Sequence, residues 1–455
     1  MTPECRATLQ QLSDSTASDA HVASISWGLI VDGRLAEHGH TGDLHDELPA
    51  DDTAVYRIAS MTKSFTAAIV LRLRDQGIWQ LDDPIARHAP ELASVVGPPG
   101  SAPVTIRQLL SMTSGLATDD AWADRHLDLT ADEIDVIYAA GPTFAHAPNT
   151  AYEYSNLGYG MLGRGVLRAT GKRVQDHITD ELLQPLEMHD STWVRPDHDH
   201  WARPHRWQDG HIVRDWPTPI GDGEIAPMGG LWTTVSDLAK WVAWFDDDTT
   251  DISLSMASRH EMQRIHTFIG TTTVAGRTCP AGYGFGVNLR IDPDLGTIVS
   301  HAGGLPGYGS SMRWLKGKRL GVVALGNSTY AHMSTLTMQM LEALLDDGAV
   351  PTITTPLSPQ FSAAADGLVA LLNSWSDDAA TSLFSDNVVL DEPFSRQRAA
   401  AVRLLEQHGQ LRITEIRPTA AASGTIVVQG TGASFTIDIE LSPVAGGAIQ
   451  LYEIH

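Results

Sequence analysis

Cysteine, basic charge and long apolar runs are all scarce in this chain of 455 residues. Its two cysteines, Cys5 and Cys279, cannot build a disulfide framework and have none of the paired spacing of a zinc site, so both are expected as free thiols. Lys and Arg number 31 against 55 Asp and Glu, a formal charge of -24. A surface this acidic repels phosphate backbones and anionic headgroups, so neither nucleic acid nor an anionic membrane is an expected partner. No apolar run reaches the length of about 18 residues that a membrane helix needs. The opening residues, which include Glu4, lack the apolar stretch of a secretory leader, and the expected location is cytoplasmic. Also missing is any G-x-S-x-G, the strand-to-helix turn that exposes the serine of many hydrolases. What remains is 42% hydrophobic, enough to fold, with length for two to four domains at roughly 100 to 200 residues each.

The pattern along the chain is α+β. A short helix over Glu4–Leu12 precedes an apolar strand, Val22–Val31, and Asp32-Gly33 signals a tight hairpin into a second strand from Arg34. Ser60–Gln76 reads as a buried helix ended by Gly77, and further helices are expected at Ile106–Met112, Tyr159–Ala169 and Ser236–Phe245, with Ser236 as N-cap. Strands return at Thr297–His301, Ser310–Leu315 and Arg319–Leu325, followed by a helix at Met333–Leu345. The two ends of this region are expected to complete one antiparallel sheet around a helical middle. The segment from Val350 to Phe361 holds three prolines, three threonines and no charge, which suits a linker. The expected division is a catalytic domain over 1–350, a linker over 351–360 and a small β-rich domain over 361–455. In the last, helices at Ala363–Trp375 and Arg396–His408 precede strands near Leu411, Thr425, Phe435 and Ile449, forming either a curved α+β sheet or a partial, lipocalin-like barrel.

Three short patterns carry chemistry. Ser60-Met61-Thr62-Lys63 is the single S-x-x-K, and at this spacing the hydroxyl and the ammonium share one helix face. A serine hydroxyl is inert until a base takes its proton, and a desolvated lysine at a helix start can do so near neutral pH. Tyr154-Ser155-Asn156 is the single Y-x-N. A cation beside Tyr154 would favour its phenolate as a proton shuttle, and Asn156 would donate to a substrate amide. At His301-Ala302-Gly303-Gly304 the glycines would let substrate backbone lie against a strand edge, with the amides of Gly304 and Ser60 forming an oxyanion hole.

In this order and separation, Ser60-x-x-Lys63, Tyr154-x-Asn156 and His301-x-Gly303 resemble the penicillin-recognising serine enzymes: class C β-lactamases, DD-peptidases, related esterases and D-amino-acid peptidases. Leu81-Asp82-Asp83-Pro84, the stretch from Thr105 to Gly115 and Gly229-Gly230-Leu231-Trp232-Thr233-Thr234 are similar to the family as well, over about residues 20 to 345. The resemblance implies a β-lactamase/transpeptidase-like fold, an antiparallel sheet flanked by helices plus an all-helical region. It also implies acyl-enzyme chemistry at Ser60, proton transfer by Lys63 and Tyr154, help from His301, substrate contacts from Asn156, Gly303 and Trp232, and no metal or other cofactor. Class C β-lactamases usually carry lysine where His301 stands, which turns the expectation away from a dedicated β-lactamase. With a small C-terminal domain and no leader, the chain most resembles the standalone penicillin-binding-protein-type thioesterases of nonribosomal peptide synthesis, the surugamide-cyclase type. These take a peptidyl thioester from a carrier protein and close it head to tail. A cytosolic esterase or D-aminopeptidase/DD-peptidase-like hydrolase is the alternative, and a ligand-binding module without catalysis a third.

Two clusters lie outside these patterns. His198, His200, His205 and His211, with Asp197 and Asp199, lack the spacing of a metal site and read as a solvated loop. Among 12 tryptophans, Trp207 and Trp216 are candidates to line an apolar substrate groove.

Overall fold

The computed structural model describes all residues except 216–220, 251, 275, 351–356 and 445. It divides into two compact units, Met1–Pro351 and Thr352–His455. The Trp216 candidate and most of the proposed linker lie outside the described residues.

The first unit is built on a nine-stranded antiparallel sheet. Its strands are β1 (Ser24–Val31), β2 (Arg34–His45), β3 (Leu48–Pro49), β4 (Thr267–Val274), β5 (Arg277–Tyr283), β6 (Asn288–Asp292), β7 (Gly296–Leu305), β8 (Tyr308–Leu315) and β9 (Leu320–Gly326). They lie in the order β3-β2-β1-β9-β8-β7-β6-β5-β4, so the N-terminal hairpin joins the late strands through β1 and β9. At the Asp32-Gly33 turn both residues have positive φ, 51° and 75°, the left-handed backbone that a two-residue hairpin with the strands' own twist requires. The strands over 267–292 carry weak period-two signals and were not anticipated; they widen the sheet beyond the expected five strands. Every residue of β9 is buried, because helices cover both faces of the sheet there. On one face α1 (Pro3–Asp19) and a C-terminal helix (Met333–Asp346) close a core that includes Leu9, Trp27, Leu29, Val322, Leu336 and Met340. Val235–Trp244 packs on the other face, at the edge of a larger core shared with the helical region. Its N-cap is Thr234, whose hydroxyl accepts from Asp237 N, so this helix starts before the expected cap at Ser236.

Within the helical region, α2 (Thr62–Asp75) and α3 (Asn156–Thr170) are the buried helices that bear on the site. Ser155 caps α3 by accepting from Gly158 N at 3.3 Å. A 3-10 turn, Ala59–Met61, leads into α2 and lies against β7 and β8. Close approach there depends on Gly303: a Cβ would stand 2.3 Å from the Ile58 carbonyl and 2.4 Å from Ser310 Oγ. The glycine expected to admit substrate also admits the segment that carries Ser60.

The second unit is α+β. Helices over Pro359–Asn373 and Phe394–His408 pack on a four-stranded antiparallel meander, Arg412–Ala420, Ser423–Gln429, Phe435–Leu441 and Ile449–Ile454, around Phe361, Leu368, Ile426 and Ile437. The sheet order is sequential, with its first and last strands at opposite edges, so this is an open sheet and not a barrel.

Gly303→Ala is expected to destabilise the first unit by about 1–3 kcal/mol through overpacking, read as a lower urea midpoint. Gly229→Ala, whose Cβ would meet nothing nearer than 3.5 Å, should stay near wild type. Equal midpoints for the two would show that the approach of β7 to the 3-10 turn is not tight.

Candidate active site

Ser60 is positioned by backbone from both sides. Tyr56-Arg57 pairs with Trp232-Thr233, Ile58 N donates to the Leu231 carbonyl at 3.1 Å, and Ser310 Oγ donates to the Ile58 carbonyl at 2.7 Å. Ala59, immediately before the serine, has φ +49°, a left-handed conformation that an L-residue adopts at a cost of about 1–2 kcal/mol. Thr62 Oγ1 donates to the Ala59 carbonyl at 2.7 Å and holds that kink. Strain concentrated beside a nucleophile is an expected signature of a functional turn.

Lys63 is completely buried, and its Nζ meets three oxygen acceptors, Ser60 Oγ at 3.0 Å, Asn156 Oδ1 at 2.6 Å and the Met228 carbonyl at 3.0 Å, with Met228 Sδ farther off at 3.8 Å. Burial pushes its pKa down to about 8, against the opposing pull of Asp120, Asp124 and Asp119. As an ammonium, Lys63 donates to all three. As an amine it retains two protons for the two carbonyl oxygens, which cannot donate, and its lone pair is left facing the serine hydroxyl. Loss of one proton therefore reverses the Ser60–Lys63 hydrogen bond and makes Lys63 a base for Ser60.

The Tyr154 hydroxyl hydrogen-bonds Ser60, and its ring centroid lies 4.9 Å from Lys63 Nζ. Contrary to expectation, Tyr154 is not a ready phenolate. Burial pushes its pKa well above the ordinary phenol value, and the lysine faces the ring while its protons point elsewhere. In the resting site it is a neutral phenol, able to relay a proton through Ser60 but not to hold a negative charge.

Asn156 is fully buried and its amide is already used. Nδ2 donates to Asp120 Oδ1 at 2.7 Å and to Asp119 Oδ1 at 3.2 Å, while Oδ1 accepts from Lys63. Asp119 also accepts from the backbone of Asn156 at 2.7 Å and of Leu157 at 2.8 Å, across the first turn of α3. The expected donation from Asn156 to substrate is replaced by a structural role: it carries the order of the Asp119 anchor to Lys63.

His301 on β7 stands beside Tyr154, ring centroids 6.4 Å apart. Burial, and then the Lys63 charge, push its pKa down to about 3, so it is neutral. Its Nδ1 lies 2.6 Å from the Ala302 carbonyl, which can only accept, so the proton sits on Nδ1 and Nε2 accepts from Tyr283 at 3.3 Å. Trp232, expected to touch substrate, is entirely buried and packs edge-on against Trp201 and Tyr308. It braces the pairing at residues 56–57 and does not line the site.

Ser60, Tyr154 and His301 open on a cavity of about 420 Å³ whose wall includes Asp120, Asp124, Tyr152, Ala302, Gly304, Ser310 and Tyr330. Pairing of β6 with β7 stops at Asn288 and Ser300, so the backbone of residues 302–304 borders the cavity on that side. Burial pushes the Asp124 carboxyl up to about 6, still an anion at neutral pH. A larger cavity of about 610 Å³, walled by Arg195, Asp197, His198, Trp201, Arg203 and Arg214, holds no activated nucleophile. Among the described residues no group of His, Cys, Asp and Glu is arranged to hold a metal. Trp207 stacks on His21 at 3.6 Å and is not part of the catalytic cavity. Cys5 and Cys279 are buried and unpaired by disulfide, and no helix among the described residues is long and apolar enough to cross a membrane.

Asp119, Asp124, Tyr283, Tyr330 and the Met228 carbonyl were not identified from sequence. Asp119-Asp120 follows the Thr105–Gly115 stretch closely, but nothing in its spacing ties it to Lys63; a backbone carbonyl has no sequence signal at all.

Acylation, read as kcat/KM for an activated ester, is expected to rise about tenfold per pH unit below pH ~8 and level above it as Lys63 loses its proton; a flat profile from about pH 6 to 9 would remove Lys63 as base. Asp119→Ala, by releasing Asn156, should lower kcat about a hundredfold, and an unchanged kcat would show that the anchor does not position the site.

A model of the beta-lactamase family matches residues 6–346. Protein flp of Staphylococcus aureus strain MW2 is 24% identical over 431 residues, 93% of this chain and 80% of that one. Penicillin-binding protein 4* of Bacillus subtilis strain 168 is 29% identical over 289 residues, 59% of this chain and 60% of its own. Among solved structures, the octameric penicillin-binding protein homologue from Pyrococcus abyssi matches with a TM-score of 0.65 at 21% identity, covering 97% of this chain and 91% of that one. A class C beta-lactamase matches at 0.60 and 19%, covering 75% of this chain and 96% of its own.

Proposed function

The chain belongs to the beta-lactamase family, and from that premise we propose that it is a peptidyl acyltransferase that closes nonribosomal peptides head to tail. The family is one of serine hydrolases and acyltransferases of the penicillin-binding-protein and β-lactamase type. The observation that carries the catalytic reading is the contact of Lys63 Nζ with Ser60 Oγ at 3.0 Å, with Nζ held by two acceptors that cannot return a proton. In the proposed cycle, neutral Lys63 takes the Ser60 proton directly, and Oγ attacks the carbonyl of a peptidyl thioester presented by a carrier protein, or of an ester. The amides of Ser60 and Gly304 hold the oxyanion. The proton returns to the leaving thiol as the carbon–sulfur bond breaks, which leaves the peptide esterified to Ser60. The peptide's N-terminal amine then attacks the ester, its proton passes through the Tyr154 hydroxyl to Oγ as the carbon–oxygen bond breaks, and the cyclic amide leaves.

Neutral His301 supports this reading over one for carboxylate-bearing substrates, because the position where class C β-lactamases usually carry lysine then offers no charge to a carboxylate. Water in place of the amine gives the esterase or D-aminopeptidase outcome from the same acyl-enzyme. A non-catalytic module is disfavoured by the intact Ser60–Lys63–Tyr154 contacts.

Intact-mass spectrometry with a linear peptidyl thioester ending in a D-residue tests the proposal. The expected result is a wild-type adduct that Ser60→Ala lacks, and a product lighter than the linear acid by one water. Linear acid alone would replace the cyclase by a hydrolase, and the absence of any Ser60-dependent adduct or product would overturn the thioester substrate.

A further inference from the structure

The acyl-enzyme chemistry leaves one part of the cavity without a role. Among its lining residues the only fixed formal charges are Asp120 and Asp124, and both are negative. Asp124 is 4% exposed, yet it forms part of the cavity wall. Its Oδ2 accepts from Tyr330 at 3.0 Å, and among the described residues no hydrogen bond reaches Oδ1. Arg125, the neighbouring guanidinium, instead donates to the Ala121 carbonyl at 3.0 Å and to the Tyr330 hydroxyl at 3.3 Å. A buried carboxylate with an oxygen free toward a cavity is costly unless something cationic occupies that cavity. Asp120 uses Oδ1 for Asn156 and stands at the exposed rim. The rings of Tyr152 and Tyr330 add π-faces to the same wall, a further attraction for an ammonium group. Neither nearby cation fills the place: Arg125 is engaged as described, and the three protons of Lys63 go to Ser60, Asn156 and the Met228 carbonyl.

We propose that Asp124, with Asp120 at the rim and Tyr330 orienting it, is a specificity site that binds a primary ammonium group on the acyl substrate. The proposal rests on the acyl-enzyme reading above and deepens it by naming the substrate class: acyl donors with a free, protonated amine within reach of the serine ester. An N-acylated or carboxylate-bearing donor loses the charge-assisted hydrogen bond or meets like charge. In a cyclising reaction the bound group would be the peptide's own N-terminus, held near the ester it later attacks. In hydrolysis the same contact selects aminoacyl over N-blocked substrates.

The test compares kcat/KM for a tripeptidyl N-acetylcysteamine thioester with a free α-amino group and for its N-acetylated form. Wild type is expected to favour the free amine by about tenfold or more, and Asp124→Asn to bring the ratio close to one. The ratio is taken within each variant, so a general loss of catalysis cancels. Should Asp124→Asn not fold, Ser334→Lys, which sets a cation in the same cavity wall, should collapse the ratio likewise. A wild-type ratio of one or below, or a ratio unmoved by the variant that folds, would overturn the ammonium site while Ser60 adducts from both thioesters left the acyl-enzyme reading standing. Absence of a Ser60 adduct with either thioester would overturn both.

Discussion

An ammonium group buried out of reach of water is the constraint around which the catalytic unit is organised. Lys63 sits in the buried first turn of α2, where desolvation alone would cost several kcal/mol. Two things make the position tolerable. Three acceptors take the three protons, and the carboxylates of Asp119, Asp120 and Asp124 oppose the fall in pKa that burial causes. The balance leaves Lys63 near 8, where both protonation states are accessible at neutral pH. Were burial unopposed the lysine would be a neutral amine, and were the carboxylates closer it would stay an ammonium; either extreme removes the exchange with Ser60.

The neighbouring titratable groups follow from the same low dielectric. Tyr154 is held as a phenol and His301 as a neutral imidazole, because burial disfavours the charged form of each. The proton inventory of the site is therefore simple: Tyr154 keeps its phenolic proton, and the group that titrates near neutral pH is Lys63. The carboxylates that line the cavity are Asp120 and Asp124.

Rigidity comes from close backbone approaches. Gly303 lets β7 lie against the 3-10 turn, Thr62 holds the left-handed Ala59, and Trp232 locks the pairing at Tyr56-Arg57. Asp119 fixes the first turn of α3, so that Asn156 reaches Lys63 from a distant part of the chain. The strained residue and the nucleophile are adjacent, and each hydrogen bond that holds one also aims the other.

Much of this was legible in the residue order. Ser60 and Lys63 are three apart on one helix, so local geometry alone brings them together, and the Asp32-Gly33 hairpin and the buried strands follow from patterns of two to ten residues. The α+β class and the alignment of the first and last strands in one sheet are also consequences of short-range pattern plus the need to bury each apolar face once. What sequence could not supply was which polar groups meet across long separations. Asn156 was identified but given the wrong partner, since its amide is satisfied by carboxylates 36 and 37 residues away. Trp232 was identified and assigned to substrate, whereas packing turned it inward; Gly303 does line the cavity, and its missing side chain also admits the 3-10 turn. The free oxygen of Asp124, the Met228 carbonyl on Lys63 and the direction of each pKa shift depend on burial and on angles that only the closed fold defines. Local spacing determined who the reacting residues are; tertiary packing decided their protonation, because charge in a protein interior is set by what surrounds it and not by what precedes it in the chain.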